Sequence, residues 1–301
     1  MDYCKLGNTE LTVSAIGLGC VTFGREIDRD AAFAVADRAL ERGITLFDTA
    51  EAYAAGASET VLGEWIADRG IRDRIVLATK VAGKLTRQRI VSSAEESLQR
   101  LRTEQIDLFQ LHSWDDETPL EETLSALTEL IEQGKVRFVG CSNWTASQLR
   151  GALTLAEQSG FARLDSVQPP YNLVQREIEA DLLALCADRQ VGVISYSPLA
   201  AGFLTGKYRR DGEVPAGTRF DVIPGHQPIY FTDHGFDVLE RLTTVAEETG
   251  HSPIQLALAW VLNRPHVTTV LIGARSPAHV DQAFAARDAG YGKEILEKLG
   301  T

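Results

Sequence analysis

Short apolar runs alternate with segments of helical periodicity along nearly the whole chain. The runs are Ala15 to Leu18, Thr45 to Phe47, Arg74 to Thr79, Gln105 to Leu111, Val136 to Gly140, Ser166 to Gln168, Val191 to Tyr196 and Val267 to Ile272. Runs of this length without strict alternation suit strands buried on both faces, as in a parallel sheet. Between them, Asp28 to Arg42 carries Ala31, Ala34, Val35, Ala39 and Leu40 at helical spacing, with Gly43 as its stop. Further helices are predicted over Ser58 to Asp68 (capped by Ser58-Glu59), Thr86 to Leu101, Pro119 to Gln133, Thr145 to Ser159, Glu177 to Arg189 and Pro277 to Arg287. A polar opening, Tyr3 to Val13, reads as a small hairpin. Eight strand signals, each followed by a helix and with no linker, predict one (β/α)8 TIM barrel, a single domain over residues 1–301.

One stretch breaks the pattern. Residues 200 to about 233 are rich in Gly, Pro and Arg and have no clear period, which predicts a long functional loop after strand seven. Helical periodicity resumes over Phe236 to Thr249 and Ile254 to Asn263. The alternative fold is a doubly wound sheet, but no G-x-G-x-x-G follows the first strand, so its usual dinucleotide fingerprint is missing.

Composition narrows the partners. Lys+Arg number 30 against 42 Asp+Glu, a net charge of −12. That balance argues against nucleic acid or an anionic membrane surface, both of which recruit basic faces. No stretch reaches the roughly 20 apolar residues of a membrane span, and no secretory signal is visible. Cys4, Cys20, Cys141 and Cys186 share no CxxC spacing. They read as reduced thiols of a cytoplasmic protein with no metal site. Oligomeric state is open, with a monomer as the default.

Four polar residues stand at or just past strand ends: Asp48 after Ile44–Phe47, Tyr53 five residues on, Lys80 after Ile75–Thr79, and His112 after Ile106–Leu111. In a parallel barrel these ends open onto one face, where such folds keep their chemistry. A free phenol has a pKa of about 10, too high for ready proton exchange at neutral pH. A neighbouring ammonium is expected to lower it, which assigns Lys80 to Tyr53 and Asp48 to holding Lys80. His112 would then hydrogen bond a substrate oxygen beside the phenol. Such a set delivers a proton to a carbonyl oxygen while another group attacks the carbon.

The segments Asp48-Thr-Ala-Glu-Ala-Tyr53, Leu77-Ala-Thr-Lys80, Asp107-Leu-Phe-Gln-Leu-His112, Gly140-Cys-Ser-Asn143, Ser195-Tyr-Ser-Pro-Leu199 and Ile272-Gly-Ala-Arg275 resemble the aldo-keto reductase superfamily, in order and spacing. GLGCVTFG and SPLAAGFLTGKY resemble the branch of bacterial oxidoreductases and potassium-channel β subunits. The resemblance implies an NADP(H)-dependent oxidoreductase reducing an aldehyde or ketone, with Asp48, Tyr53, Lys80 and His112 as its tetrad and Tyr53 as general acid. It also implies a cofactor site. Ser142, Asn143 and Gln168 would hold the nicotinamide carboxamide, and Tyr196 would stack on the ring. Gly19, Cys20, Ser197, Pro198, Leu199, Gly202 and Lys207 would line the dinucleotide, and Arg219, Gly273, Arg275, His279 and Gln282 its adenosine end. Arg275 in particular favours NADP(H) over NAD(H).

Phe23, Trp114 and Trp144, with Tyr53 and His112, are expected to meet a small carbonyl substrate. The chain departs from the family at His279, Gln282 and Ala283 along the last helix, and at Ala54, where a glycine usually follows the tyrosine. Two other functions remain open at this level: a cofactor-binding regulatory subunit and a sugar or polyol dehydrogenase.

Overall fold

The computed structural model describes residues 1–300, and Thr301 lies outside the described residues. β1 (Tyr3–Lys5) and β2 (Thr12–Ser14) pair antiparallel, Tyr3 opposite Ser14. There follow β3 (Ile16–Gly19), α1 (Arg29–Glu41), β4 (Leu46–Asp48), α2 (Ala57–Arg69), β5 (Val76–Val81), α3 (Arg87–Leu101), β6 (Ile106–Leu111) and α4 (Leu120–Glu132). Then come β7 (Val136–Ser142), α5 (Ala146–Ser159), β8 (Leu164–Gln168), α6 (Leu182–Arg189) and β9 (Gly192–Ser195). After α7 (Arg219–Val222), α8 (Gln227–Tyr230), α9 (Asp233–Thr249) and α10 (Pro253–Leu262), the chain reaches β10 (Thr269–Gly273), α11 (Pro277–Asp288) and α12 (Lys293–Gly300).

β3 to β10 close a parallel barrel in the order β10-β3-β4-β5-β6-β7-β8-β9. The eight strands expected from the apolar runs are these eight. The chain groups into two compact units. One comprises Met1–Pro169, Ile178–Ser195 and His266–Val280 and holds the whole barrel; the other comprises Pro170–Glu177, Tyr196–Pro265 and the chain from Asp281 onward.

Within the barrel unit, side-chain caps start several helices where the sequence offers an oxygen. Asp28 accepts from Ala31 N–H, and Thr145 forms a capping box with Gln148. The expected cap Ser58-Glu59 works differently. α2 starts from Gly56 with no side-chain cap, while the buried Ser58 hydroxyl bonds the Cys20 carbonyl at 2.7 Å and Thr49 Oγ1 at 2.8 Å. Glu59 is fully buried and ties three elements together, accepting from Thr79 on β5 at 2.5 Å and from Arg100 on α3 at 2.6 Å. α2 and α3 approach so closely at Gly63 that a Cβ there would lie 2.3 Å from the Arg100 carbonyl. Near the strand starts, Asp107 of β6 accepts from Leu77 N–H and pairs with Arg72 and Arg137, each at 2.8 Å.

The other unit holds the stretch that looked structureless in the sequence. Phe203, Tyr208, Phe220, Tyr230, Phe231 and Phe236 pack into one aromatic cluster, with ring centroids 5.1 Å apart for Phe220 and Phe231 and 6.5 Å for Phe203 and Phe220. Aromatic burial of this kind fixes an irregular backbone without helical or strand periodicity. The expected helix over Glu177 to Arg189 is broken: Glu177–Glu179 is a 3-10 turn, and α6 begins at Leu182.

Candidate active site

β4, β5 and β6 bring Asp48, Lys80 and His112 together. Lys80 is fully buried, its Nζ donating to Asp48 Oδ1 at 2.5 Å and to the Thr49 carbonyl at 2.8 Å. The second Asp48 oxygen accepts from Gln168 Nε2 at 2.8 Å and Gln110 Nε2 at 3.1 Å. Tyr53 follows from the β4–α2 connection, its N–H bonded to the Ala50 carbonyl. Its ring meets the His112 ring edge-on at 5.7 Å, and Lys80 Nζ lies 5.1 Å from its centroid. The four residues expected to converge do so.

The turn that carries Tyr53 is strained. Ala54 and Ala55 both take left-handed backbone angles, with φ of 50° and 51°, before Gly56 at 88°. A side chain in that region costs roughly 1–2 kcal/mol. Glu51 anchors the same turn, accepting from Ala82 N–H at 2.7 Å and Ser93 Oγ at 2.6 Å and pairing with Arg89. These contacts hold the loop to β5 and α3, so the phenol is positioned by tertiary bonds rather than by a relaxed turn.

The electrostatics correct one expectation. Burial pushes the Tyr53 phenol up, and the Lys80 ammonium only partly pulls it back, so the phenol stays protonated through neutral pH. Burial alone would lower Lys80, but Asp48 and then Tyr53 more than offset it and its pKa is raised. His112 is driven down to about 4, first by burial and then by the Lys80 charge, so its imidazole is neutral at pH 7. Its buried Nδ1 has no hydrogen-bond partner among the described residues. The site therefore offers a protonated phenol beside a fixed ammonium, with a neutral imidazole as hydrogen-bond donor.

The other expected residues divide by unit. In the barrel unit, Ser142 Oγ donates to the Gln168 carbonyl at 2.8 Å, and Asn143 Nδ2 donates to the His112 carbonyl at 2.9 Å and to Ser142 Oγ at 3.2 Å. Asn143 is exposed and holds a left-handed φ of 60°. Gly19 and the exposed Gly273 are register partners at the ends of β3 and β10. Cys20 is buried, its N–H donates to the Asp48 carbonyl, its own carbonyl accepts from Ser58, and burial raises its thiol far above the usual range. Arg275 is exposed and makes no ion pair among the described residues, and its N–H donates to His279 Nδ1 at 3.2 Å.

Phe23 lies in the β3–α1 connection and is fully buried. Trp144 is buried beneath Trp114, the rings meeting edge-on at 4.6 Å. Trp114 keeps partial exposure and donates to Asp116 at 2.5 Å.

In the other unit, Tyr196 is half-buried, and its carbonyl accepts from Tyr171 N–H at 3.1 Å. The Ser197 carbonyl accepts from Asn172 at 3.1 Å, Pro198 is buried and Leu199 is half-buried. Gly202 has φ of 92° and follows two left-handed alanines, Ala200 and Ala201. Lys207 is exposed with its ammonium 5.3 Å from the Tyr208 ring, Arg219 opens α7, and Gln282 is exposed on α11.

Sequence reasoning missed Gln110, Glu51 and Glu59. The signal for Gln110 was present: with Asp107 it is one of two polar residues inside the run Ile106–Leu111, and it stands near the end that opens onto the site.

A closed parallel barrel thus carries a buried Asp–Lys pair, a phenol and an imidazole at its strand ends, the arrangement the motifs led us to expect. The aldo/keto reductase family model matches residues 15–299, and the chain belongs to that family. It is 35% identical to the uncharacterized oxidoreductase YrpG of Bacillus subtilis, covering 99% of this chain and 95% of that protein. It is 34% identical to the aldo-keto reductase YhdN of Bacillus subtilis, over 93% of this chain and 87% of that one. A probable voltage-gated potassium channel subunit beta of Arabidopsis thaliana is 33% identical over 96% of this chain and 92% of its own length. Among the described residues no helix is long and apolar enough to cross a membrane.

Proposed function

We propose that the chain is an NADPH-dependent reductase of a small aldehyde or ketone, with Tyr53 as the acid that protonates the carbonyl oxygen. The observation that carries this reading is the protonated Tyr53 set between Lys80 and a neutral His112. The nicotinamide, when bound, supplies the hydride that reaches the carbonyl carbon. The Tyr53 hydroxyl gives its proton to the oxygen and becomes a phenolate, whose charge the buried Lys80 ammonium stabilises. Asp48 keeps that ammonium charged and stationary. His112, neutral at working pH, donates a hydrogen bond to the same oxygen and orients it. Because burial raises the phenol, Tyr53 is protonated at rest and has a proton to give, and the Lys80 ammonium beside it offsets the cost of leaving a phenolate.

The chain's own residues fit the dinucleotide. The Gln168 amide oxygen and the Asn143 side chain beside the tetrad suit a carboxamide. Arg275, exposed and without an ion pair among the described residues, precedes α11 where a guanidinium can grip a phosphate with two hydrogen bonds. We assign it to the 2′-phosphate, which is why NADPH is preferred to NADH. Trp114, the exposed member of the tryptophan pair, is assigned to the substrate.

The test is a panel of aldehydes and ketones followed by loss of NADPH absorbance, run beside NADP+ with sugars and polyols. Faster reduction than oxidation supports the reading, and turnover confined to polyol oxidation overturns it in favour of a dehydrogenase. The channel-subunit name of one relative motivates a second reading, a cofactor-binding regulatory subunit. Negligible turnover across the panel, with a stoichiometric membrane partner recovered by pull-down, would support that one instead.

A further inference from the structure

Gln110 is fully buried in the site, and nothing above gives it a role. It lies beside Lys80 in the β5–β6 register, and on its other side stands Gly140 of β7. A Cβ at Gly140 would lie 2.2 Å from Ser166 Oγ, so the barrel interior is tightly filled at this layer. Gln110 Nε2 donates to Asp48 Oδ2 at 3.1 Å, and Gln110 Oε1 accepts from Gln168 Nε2 at 3.3 Å. Gln168 Nε2 donates also to Asp48 Oδ2, at 2.8 Å. Two amides and one carboxylate therefore close a ring.

A primary amide has two N–H hydrogens and one carbonyl oxygen. Both hydrogens of Gln168 are committed inside the ring, one to Asp48 and one to Gln110. Only Oε1 is left to meet a ligand, and an oxygen can only accept. We infer that Gln110 is a positioning residue. It fixes the Gln168 amide as an acceptor towards the N–H2 of a nicotinamide carboxamide, and it holds the Asp48 oxygen that does not face Lys80. This rests on the reading of the site as that of an NADPH reductase. Without the Gln110 oxygen, the Gln168 amide keeps only its bond to Asp48 and loses the second contact that fixes its orientation.

Two variants separate this role from simple packing. Gln110→Leu keeps the approximate volume and removes both hydrogen bonds. Gln110→Glu places a carboxyl against Asp48 in a dry site, where burial and the like charge raise its pKa. Protonated, it reproduces the wild-type pattern, its O–H donating to Asp48 and its carbonyl accepting from Gln168. Ionised, it loses the donor and faces a second carboxylate.

NADPH binding is measured by fluorescence titration from mildly acidic to mildly alkaline pH, beside thermal melts. Gln110→Leu should bind NADPH about tenfold more weakly at every pH, the scale of one lost hydrogen bond between neutral groups. Gln110→Glu should bind like wild type in acid and weaken as pH rises, beyond any trend the wild type shows. A folded Gln110→Leu with wild-type affinity, or a Gln110→Glu affinity that follows the wild type across pH, overturns the positioning role. If Gln110→Leu does not fold, the Gln110→Glu titration decides alone. Failure of the wild type itself to bind NADPH is a separate result, which brings down the reading of the site.

Discussion

Replacing His112 with glutamine should change how stability responds to acid. An imidazole in the unfolded chain takes its proton near 6.5, but the folded site holds His112 down to about 4. Between those values the unfolded chain binds a proton that the folded one refuses, so stability present above 6.5 is lost as pH falls towards 4. The whole gap corresponds to about 3.4 kcal/mol, of which about 2 kcal/mol accrues between about pH 7 and about pH 5. Asp165 acts in the opposite direction. Burial raises its carboxyl from 3.8 to about 6, against the pull of Arg163 and the Val139 backbone, so folding takes up a proton as pH falls. That gains about 1.3 kcal/mol over the same interval.

In the wild type the two effects cancel to within about 1 kcal/mol. Gln at position 112 removes the loss and leaves the gain. Relative to its own value at about pH 7, the variant should gain about 1 kcal/mol by about pH 5, while the wild type stays nearly flat. Urea unfolding at a series of pH values reads this directly. If His112→Gln and wild type run parallel, the buried neutral imidazole is refuted, and with it the role of His112 as a donor that carries no charge.

Lys80→Met should cost about 3–5 kcal/mol of stability by denaturant unfolding, because it leaves the Asp48 carboxylate buried without its cation. Combined with Tyr53→Phe, it should lower turnover little further than either change alone, since both act on one phenolate; additive losses would contradict that. Ala55→Gly, which relieves a left-handed alanine beside the tyrosine, should raise the unfolding free energy by up to about 1 kcal/mol, and a loss would show that Ala55 is not strained. Arg275→Ala should weaken NADPH binding by about 1.5–3 kcal/mol and NADH binding far less; equal losses in a fluorescence titration would remove the 2′-phosphate assignment.

The barrel was legible because each strand is a short run of mainly apolar residues separated from the next by a helical segment, and β3 to β10 are those runs. The tetrad was legible for the same reason, since strand ends of a parallel barrel share one face. What the sequence hid depended on contacts far apart in the chain. The aromatic cluster around Phe203 leaves no period, so residues 200 to 233 looked like an open loop. Ser58 and Glu59 looked like a helix cap because that pair is common at helix starts, yet they bond Cys20, Thr79 and Arg100. Phe23 and Cys20 sat beside the expected site in sequence, but their side chains are buried. The direction of the Tyr53 shift depends on the balance of burial against one ammonium, which spacing alone does not reveal.

The central claim is that Tyr53 gives the proton. Tyr53→Phe keeps the ring and its edge contact with His112 while removing only the hydroxyl, so the melt and the NADPH affinity should be preserved. With a carbonyl substrate identified from the panel, single-turnover and steady-state rates of NADPH consumption should fall by roughly 10²–10⁴, the range for general acid catalysis. A variant that binds NADPH normally and keeps more than about a tenth of wild-type turnover would contradict the account, because proton delivery would then come from another group or from water.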